Sequence, residues 1–461
     1  MDEENITPIG SKNHSKKKIE KIVGIEVFSS SGYEGIQARI KKRYKDFIVR
    51  EITYSGRVLE IKEDFGPTYF SEDSKDSYTL FNLIKVNKDT FEAIRLISKA
   101  LGIPPKSIGY AGLKDKRSIS VQMASIRGNY VEKLKNLKLK DIYIRNIYPS
   151  KNPIKLGYNW GNQFVITLRD IKHMPDQIKK INTLFSYLRE HGFPNYYGLQ
   201  RFGTFRPNSH IIGRFVLESQ FKKAYEEFVI KDYPTELPQS QKVRAELAKT
   251  GDLEKALNSF PMGLGYERTM IKYLLDNPGD FEGAIHQLPK YLIKLLISSF
   301  QSYLFNKMVS LRVQQGNSLH NPVKGDVICI LDEENGNITQ IKHTYGGYYD
   351  DYLQEARKLN RAKIVAPLVG YNTDLDDFPY MKTLFLEIIK NDRISLNLFQ
   401  NKLLEIYEFK GSFRPLIVKP VGLKNLEYAI DDLFPDRYKM KIEFSLQKGS
   451  YATLLLREIV K

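Results

Sequence analysis

A single carboxylate, Asp115, sits in a glycine-containing turn between Lys114, Lys116 and Arg117, followed by the hydroxyls of Ser118 and Ser120 and the amide of Gln122. Neighbouring cations keep such a carboxylate charged, which suits a nucleophile or a base. Gly112 is expected to let the backbone turn sharply ahead of it. Ile119, Val121 and Met123 alternate with Ser118, Ser120 and Gln122, the period of a strand, so Asp115 is expected on a loop carried by a rigid element. The residues alone also fit a solvated loop in which the acid relieves repulsion among its neighbours.

The elements that must position this loop are legible in outline. Phe91, Ile94, Ile97 and Leu101 recur at helical spacing, with Asp89 or Thr90 as cap and Gly102 as stop, which predicts a core-facing helix ending before Pro104 and Pro105. Residues 163–168 read as a strand with Phe164, Ile166 and Leu168 on one face. A helix is predicted from about Asp176 to His191, with Ile178, Ile181, Phe185 and Leu188 inward and Gly192 as its stop. Further on come a helical run from Leu292 to Arg312, a strand from Asp326 to Leu331 and a turn at Ala366–Gly370. Near the end, a strand at 441–447 turns at Gly449 into a helix capped by Ser450.

A length of 461 residues predicts two domains, and 42% hydrophobic residues give each a core. The net charge of +17 points to an acidic polymer as partner, with nucleic acid the first candidate. Residues 1–20 are polar and rich in lysine and are expected to form a mobile basic tail. No apolar run approaches the ~20 residues that span a bilayer, and the N-terminus lacks the apolar core of a secretory signal, so a soluble cytoplasmic protein is expected, with no membrane partner. One cysteine, Cys329, excludes an internal disulfide and a cysteine-based zinc cluster, and the seven histidines show no ligand spacing, so neither a metal nor redox chemistry is expected. Cys329 lies in the apolar run 327–331 and is expected in a core. With no heptad seam, the chain is expected to be a monomer.

The segment Gly112-Leu113-Lys114-Asp115-Lys116-Arg117-Ser118-Ile119-Ser120-Val121-Gln122 resembles the catalytic motif of the TruD-type pseudouridine synthases, Gly-x-Lys-Asp-x-x-Ala-x-Thr-x-Gln. Ser118 stands where that motif has alanine and Ser120 where it has threonine. Four more segments resemble the family in order: Lys41 five residues before Asp46-Phe47, Gly161-Asn162-Gln163-Phe164, Asn195-Tyr196-Tyr197-Gly198-Leu199-Gln200-Arg201-Phe202-Gly203, and Gly449-Ser450-Tyr451-Ala452-Thr453. Residues 299–306 also look like a family segment. The resemblance covers about residues 38–459.

It implies an α/β (α+β) fold, with a catalytic domain of mixed, largely antiparallel sheet built from 21–194 and 412–461. An inserted α/β domain at 195–411 would form the other arm of a V with a basic cleft. It implies conversion of uridine to pseudouridine in tRNA, at position 13 of the D arm, without cofactor. Asp115 would be the nucleophile or base, Lys41 its partner, and Phe164 would stack on the uracil beside Asn162; the adjacent Lys42 is a second candidate for the partner. Lys114, Gln122, Asn195, Tyr196, Gln200, Arg201 and Phe202 would make up the RNA-binding set. From another class, a non-catalytic RNA-binding protein or RNA chaperone would use the same cations and rings for grip.

Overall fold

The computed structural model describes residues 19–71, 75, 77–174, 176–348 and 351–461. Most of the expected basic tail therefore lies outside the described residues. Two compact units divide the chain: Phe28–Phe193 with Val418–Lys461, and Pro194–Ile417 with the described residues up to Val27.

The first unit is built on a sheet of eight strands among the described residues. Its N-terminal strands are β1 (Phe47–Thr53), β2 (Tyr78–Val86), β3 (Ile108–Tyr110), β4 (Ile119–Arg127), β5 (Ile142–Ser150) and β6 (Asn159–Ile171). The strands Val421–Ile430 and Tyr438–Gln447 complete the sheet from the C-terminal end. Across it the order is Val421–Ile430, Tyr438–Gln447, β6, β1, β4, β2, β5, with β3 paired to β4. β1 and β4 run parallel, while the other pairings in this sheet are antiparallel, as expected of a mixed, largely antiparallel sheet. The parallel pair brings the loops that precede β1 and β4 to the same edge. The antiparallel run of β2 against β4 brings the loop after β2 there as well.

The helix Thr90–Leu101 begins at that edge, capped by Asp89, whose side chain accepts from the Glu92 amide, and ends at Gly102 in the left-handed region. Ile94 and Ile97 face the core with Ala93, against Phe81 and Leu83 of β2 and Ala124 and Ile126 of β4. Phe91 is exposed instead, its ring edge-on to Tyr110, because Ala93 takes the core-facing place in the first turn. In Gln177–His191, Leu184 joins Ile181, Phe185 and Leu188 inside, while Ile178 lies exposed in the first turn. The C-terminal helix Ala452–Val460 follows Tyr451 as N-cap without a side-chain cap bond, so Ser450 does not cap it.

The second unit surrounds the helix Lys290–Gln314, which buries Ile293, Ile297, Phe300, Leu304 and Met308. Beside it lies an antiparallel sheet in the order Ser412–Pro415, Ala362–Leu368, Val327–Leu331, Ile338–Thr344. Cys329 is buried there. Residues 366–368 belong to a strand rather than a turn, with Pro367 opposite Phe413, and the chain leaves the strand only at Val369. Arg312 forms a fully buried two-pronged pair with Asp326 at 2.6 and 2.7 Å.

His210 sits in this unit between the edge of Phe202 and the face of Tyr303. Burial pulls its pKa down to about 3. Between that value and the ordinary value near 6.5, the unfolded chain takes up a proton that the folded chain refuses. Its contribution is therefore fully present above pH ~6.5 and lost as pH falls below it, by about 1.4 kcal/mol per unit. Urea unfolding between pH 7 and pH 5 is expected to show this loss, and His210→Phe is expected to flatten it.

Candidate active site

One face of the first sheet carries a continuous row: Phe444, Phe164, Val49, Ser120 and Lys85 are cross-strand partners in turn. Phe164 is 8% exposed, its ring stacked on Phe444 at 5.3 Å between centroids and meeting Phe47 edge-on at 6.1 Å. The Lys41 ammonium lies 4.0 Å from the centre of the Phe47 ring. The same ammonium is 2.5 Å from Asp115 Oδ2. A chain of contacts thus runs from the carboxylate through Lys41 and Phe47 to Phe164.

Lys41 reaches Asp115 from a backbone in the left-handed region, at φ 56°, which costs a non-glycine residue about 1–2 kcal/mol. The turn after it is anchored by Asp46, which accepts from the Arg43 amide and pairs with buried Arg169 at 2.8 Å. Arg169 also holds Asp431 and Asp432. Lys42 points elsewhere, its ammonium 5.8 Å from the Phe434 ring centre and its carbonyl accepting from Arg117. Of the two lysines it is Lys41 that meets the carboxylate.

The cations beside Asp115 in sequence are engaged away from its carboxylate. Lys114 turns inward to Glu51 at 2.6 Å, with both side chains nearly inaccessible. Lys116 pairs with Glu92. Arg117 donates to the Lys42 carbonyl and so ties the two loops together. Gln122, fully buried, donates to the Gly112 carbonyl and accepts from Thr90 Oγ1, which itself accepts from the Lys114 amide. Lys114 and Gln122 are buried and hold the loop. Gly112 is absent from the glycines with positive φ, so the turn does not depend on left-handed backbone there.

Asn162 follows Gly161, where a Cβ would overlap the Leu446 carbonyl; the glycine lets β6 and the last strand approach closely. Asn162 Oδ1 and Ser120 Oγ are buried without a hydrogen-bond partner, which leaves acceptor capacity open on the face that carries Phe164.

Asn195 to Gly203 belong to the second unit. Asn195 binds the Pro415 carbonyl and accepts from Arg414; Tyr196 bonds Ser310; Phe202 is fully buried. Arg201 meets Ser302, and Asn306 holds the Tyr197 backbone amide. The segment at 299–306 is thus one of its docking partners. Asn195, Tyr196 and Phe202 are buried in the packing of this unit, while Gln200 is exposed and Arg201 half-buried.

The strand pairings were not available to the sequence reading, which missed Lys85, Glu51, Thr90, Phe47 and Phe444. The available signals were Lys85 directly after Leu83 and Ile84, and Glu51 in phase with Phe47 and Val49. Among the described residues no group of three His, Cys, Asp or Glu side chains is arranged to hold a metal, and no helix is long and apolar enough to cross a membrane.

The family model for tRNA pseudouridine synthase D (TruD) matches residues 22–459. The chain belongs to the TruD family. TruD proteins similar to it include the "Probable tRNA pseudouridine synthase D" of Methanosarcina acetivorans, 33% identical over 96% of this chain and 97% of that protein. One of the same name from Thermococcus sibiricus is 32% identical over 94% and 96%. The crystal structure of a TruD protein from Methanosarcina mazei superposes with a TM-score of 0.77 at 30% identity, covering 96% of this chain and 98% of that one.

Proposed function

We propose that this TruD chain isomerises uridine to pseudouridine in tRNA, at position 13 of the D arm, with Asp115 as the reacting carboxylate. The observation that carries the reading is the Asp115–Lys41 pair on a braced loop, connected through Phe47 to the buried ring of Phe164. The target nucleotide leaves its stack and its uracil lies by Phe164, where the open lone pairs of Asn162 can accept from the imide N–H. Asp115 then attacks the ribose C1′ or removes a ribose proton, and either route breaks the bond from C1′ to N1. The freed uracil turns and bonds to C1′ through C5, as the Asp115 carboxylate leaves C1′ on the first route or returns its proton to the ribose on the second. The C5 proton passes to a base and then to solvent, and N1 gains one. No electron is gained or lost overall, and no water is consumed.

A tRNA transcript with tritium at uridine C5 tests this directly. The expected result is tritium release in step with one new pseudouridine, mapped to position 13. Tight, salt-dependent tRNA binding without release would favour the RNA-binding alternative.

A further inference from the structure

We infer that Lys85 is a positioning residue for the reaction: its ammonium ties the Lys114 and Asp115 carbonyls of the loop to the Lys88 carbonyl beyond β2 and thereby fixes where the Asp115 carboxylate points. The inference rests on the reading of Asp115 as the reacting group. Lys85, one residue before the end of β2, has no exposed surface and lies directly across from Ser120. Its ammonium donates to the carbonyls of Lys88 at 2.6 Å and of Lys114 and Asp115 at 3.1 Å each. An ammonium has three N–H groups, and three acceptors meet them. Two of those acceptors are consecutive carbonyls, so the backbone of the loop curls around one atom. The side chains at the same two positions go separate ways, Lys114 inward to Glu51 and Asp115 to Lys41. Ser118 Oγ donates to the Asp115 carbonyl from the other side.

A buried charge is costly, and a neutral side chain at this position would avoid that cost. Its presence under the loop is explained by what it alone supplies, three donors from one point. Burial, then the charge of Lys114, lowers the Lys85 pKa to about 8, against the opposing charges of Asp115, Asp89 and Glu92. A neutral amine keeps two donors and turns a lone pair toward the third carbonyl, so the loop loosens as pH rises through that value. Stability moves the other way. The folded pKa lies below the ordinary 10.4, so between the two the unfolded chain retains a proton that the folded chain has shed, and stability rises with pH.

The test uses the full chain, with single-turnover tritium release, tRNA affinity, urea midpoints and amide exchange of residues 112–118 for wild type, Lys85→Met and Lys85→Gln. Lys85→Met is expected to lose about a hundredfold or more in turnover, as small misplacements of reacting groups do. Its tRNA affinity should stay within about twofold, its loop amides should exchange faster, and Lys85→Gln, with two donors, should fall between. Wild-type turnover is expected to decline above pH ~8 while its urea midpoint rises. A Lys85→Met enzyme with wild-type turnover and loop exchange would overturn the inference. Should that variant not fold, a wild-type turnover that stays flat, or that rises with the midpoint, would overturn it equally. Absence of release by the wild type would instead overturn the uridine-isomerising reading, and with it the catalytic use of the clamp, while loop exchange still reports whether Lys85 holds the loop.

Discussion

Asp115→Asn is expected to lower single-turnover tritium release by at least about a thousandfold while leaving tRNA affinity within about threefold. Asparagine keeps the shape of the side chain and the backbone bonds that seat it, because Lys85 and Ser118 hold the Asp115 carbonyl and not its carboxylate. What is lost is the negative charge that meets Lys41. Any shift in affinity should be toward tighter binding, since one anion facing a polyanion is removed. Release and filter binding on the same transcript read the two quantities side by side. Equal turnover in the two proteins would remove Asp115 from the chemistry.

The second large effect is on stability. Glu51 and Lys114 form a pair whose side chains are 1% and 3% exposed, and Glu51 Oε1 also accepts from the Met123 amide. Glu51→Ala strands the Lys114 ammonium away from water and orphans that amide, a loss of about 3–5 kcal/mol. Replacing both partners, with Glu51→Leu and Lys114→Met together, is expected to cost less than the single change, because no buried charge is then left alone. Urea midpoints for the wild type and the two variants decide the matter. A double variant worse than Glu51→Ala would mean that the pair contributes net attraction beyond its own desolvation.

These two residues also mark how far the sequence could be read. The sequence separates apolar from polar positions and gives a strand's period, which was enough for β6, the helix Thr90–Leu101 and the loop carrying Asp115. It does not say which strand lies beside which. Lys41 and Asp115 are 74 positions apart, and their meeting follows from the parallel pairing of β1 and β4. Without that pairing, Lys114 read as one of three cations around Asp115, and Glu51 went unnoticed. Asn195 to Phe202 carries polar and aromatic side chains of the kind that bind RNA, yet those groups are equally suited to pin a loop to a helix. Only Ser302, Asn306 and Ser310 of the facing helix reveal which use is made of them. Lys85 was the hardest case, because a lysine near the end of an apolar strand usually reaches for water, and here the loop closes over it.

The ring beneath Phe164 belongs to Phe444, and the carbonyl against Gly161 belongs to Leu446. A ribosome translating this message therefore makes Lys41, Asp115 and Phe164 long before it makes the strand on which Phe164 rests, with residues 194–417 of the second unit emerging between. At about 5–20 residues per second the wait is on the order of tens of seconds. Throughout it, the edge of β6 that pairs with Tyr438–Gln447 has no partner strand. A nascent chain, or one clipped ahead of the strand Tyr438–Gln447, holds Lys41 and Asp115 without the ring that supports Phe164.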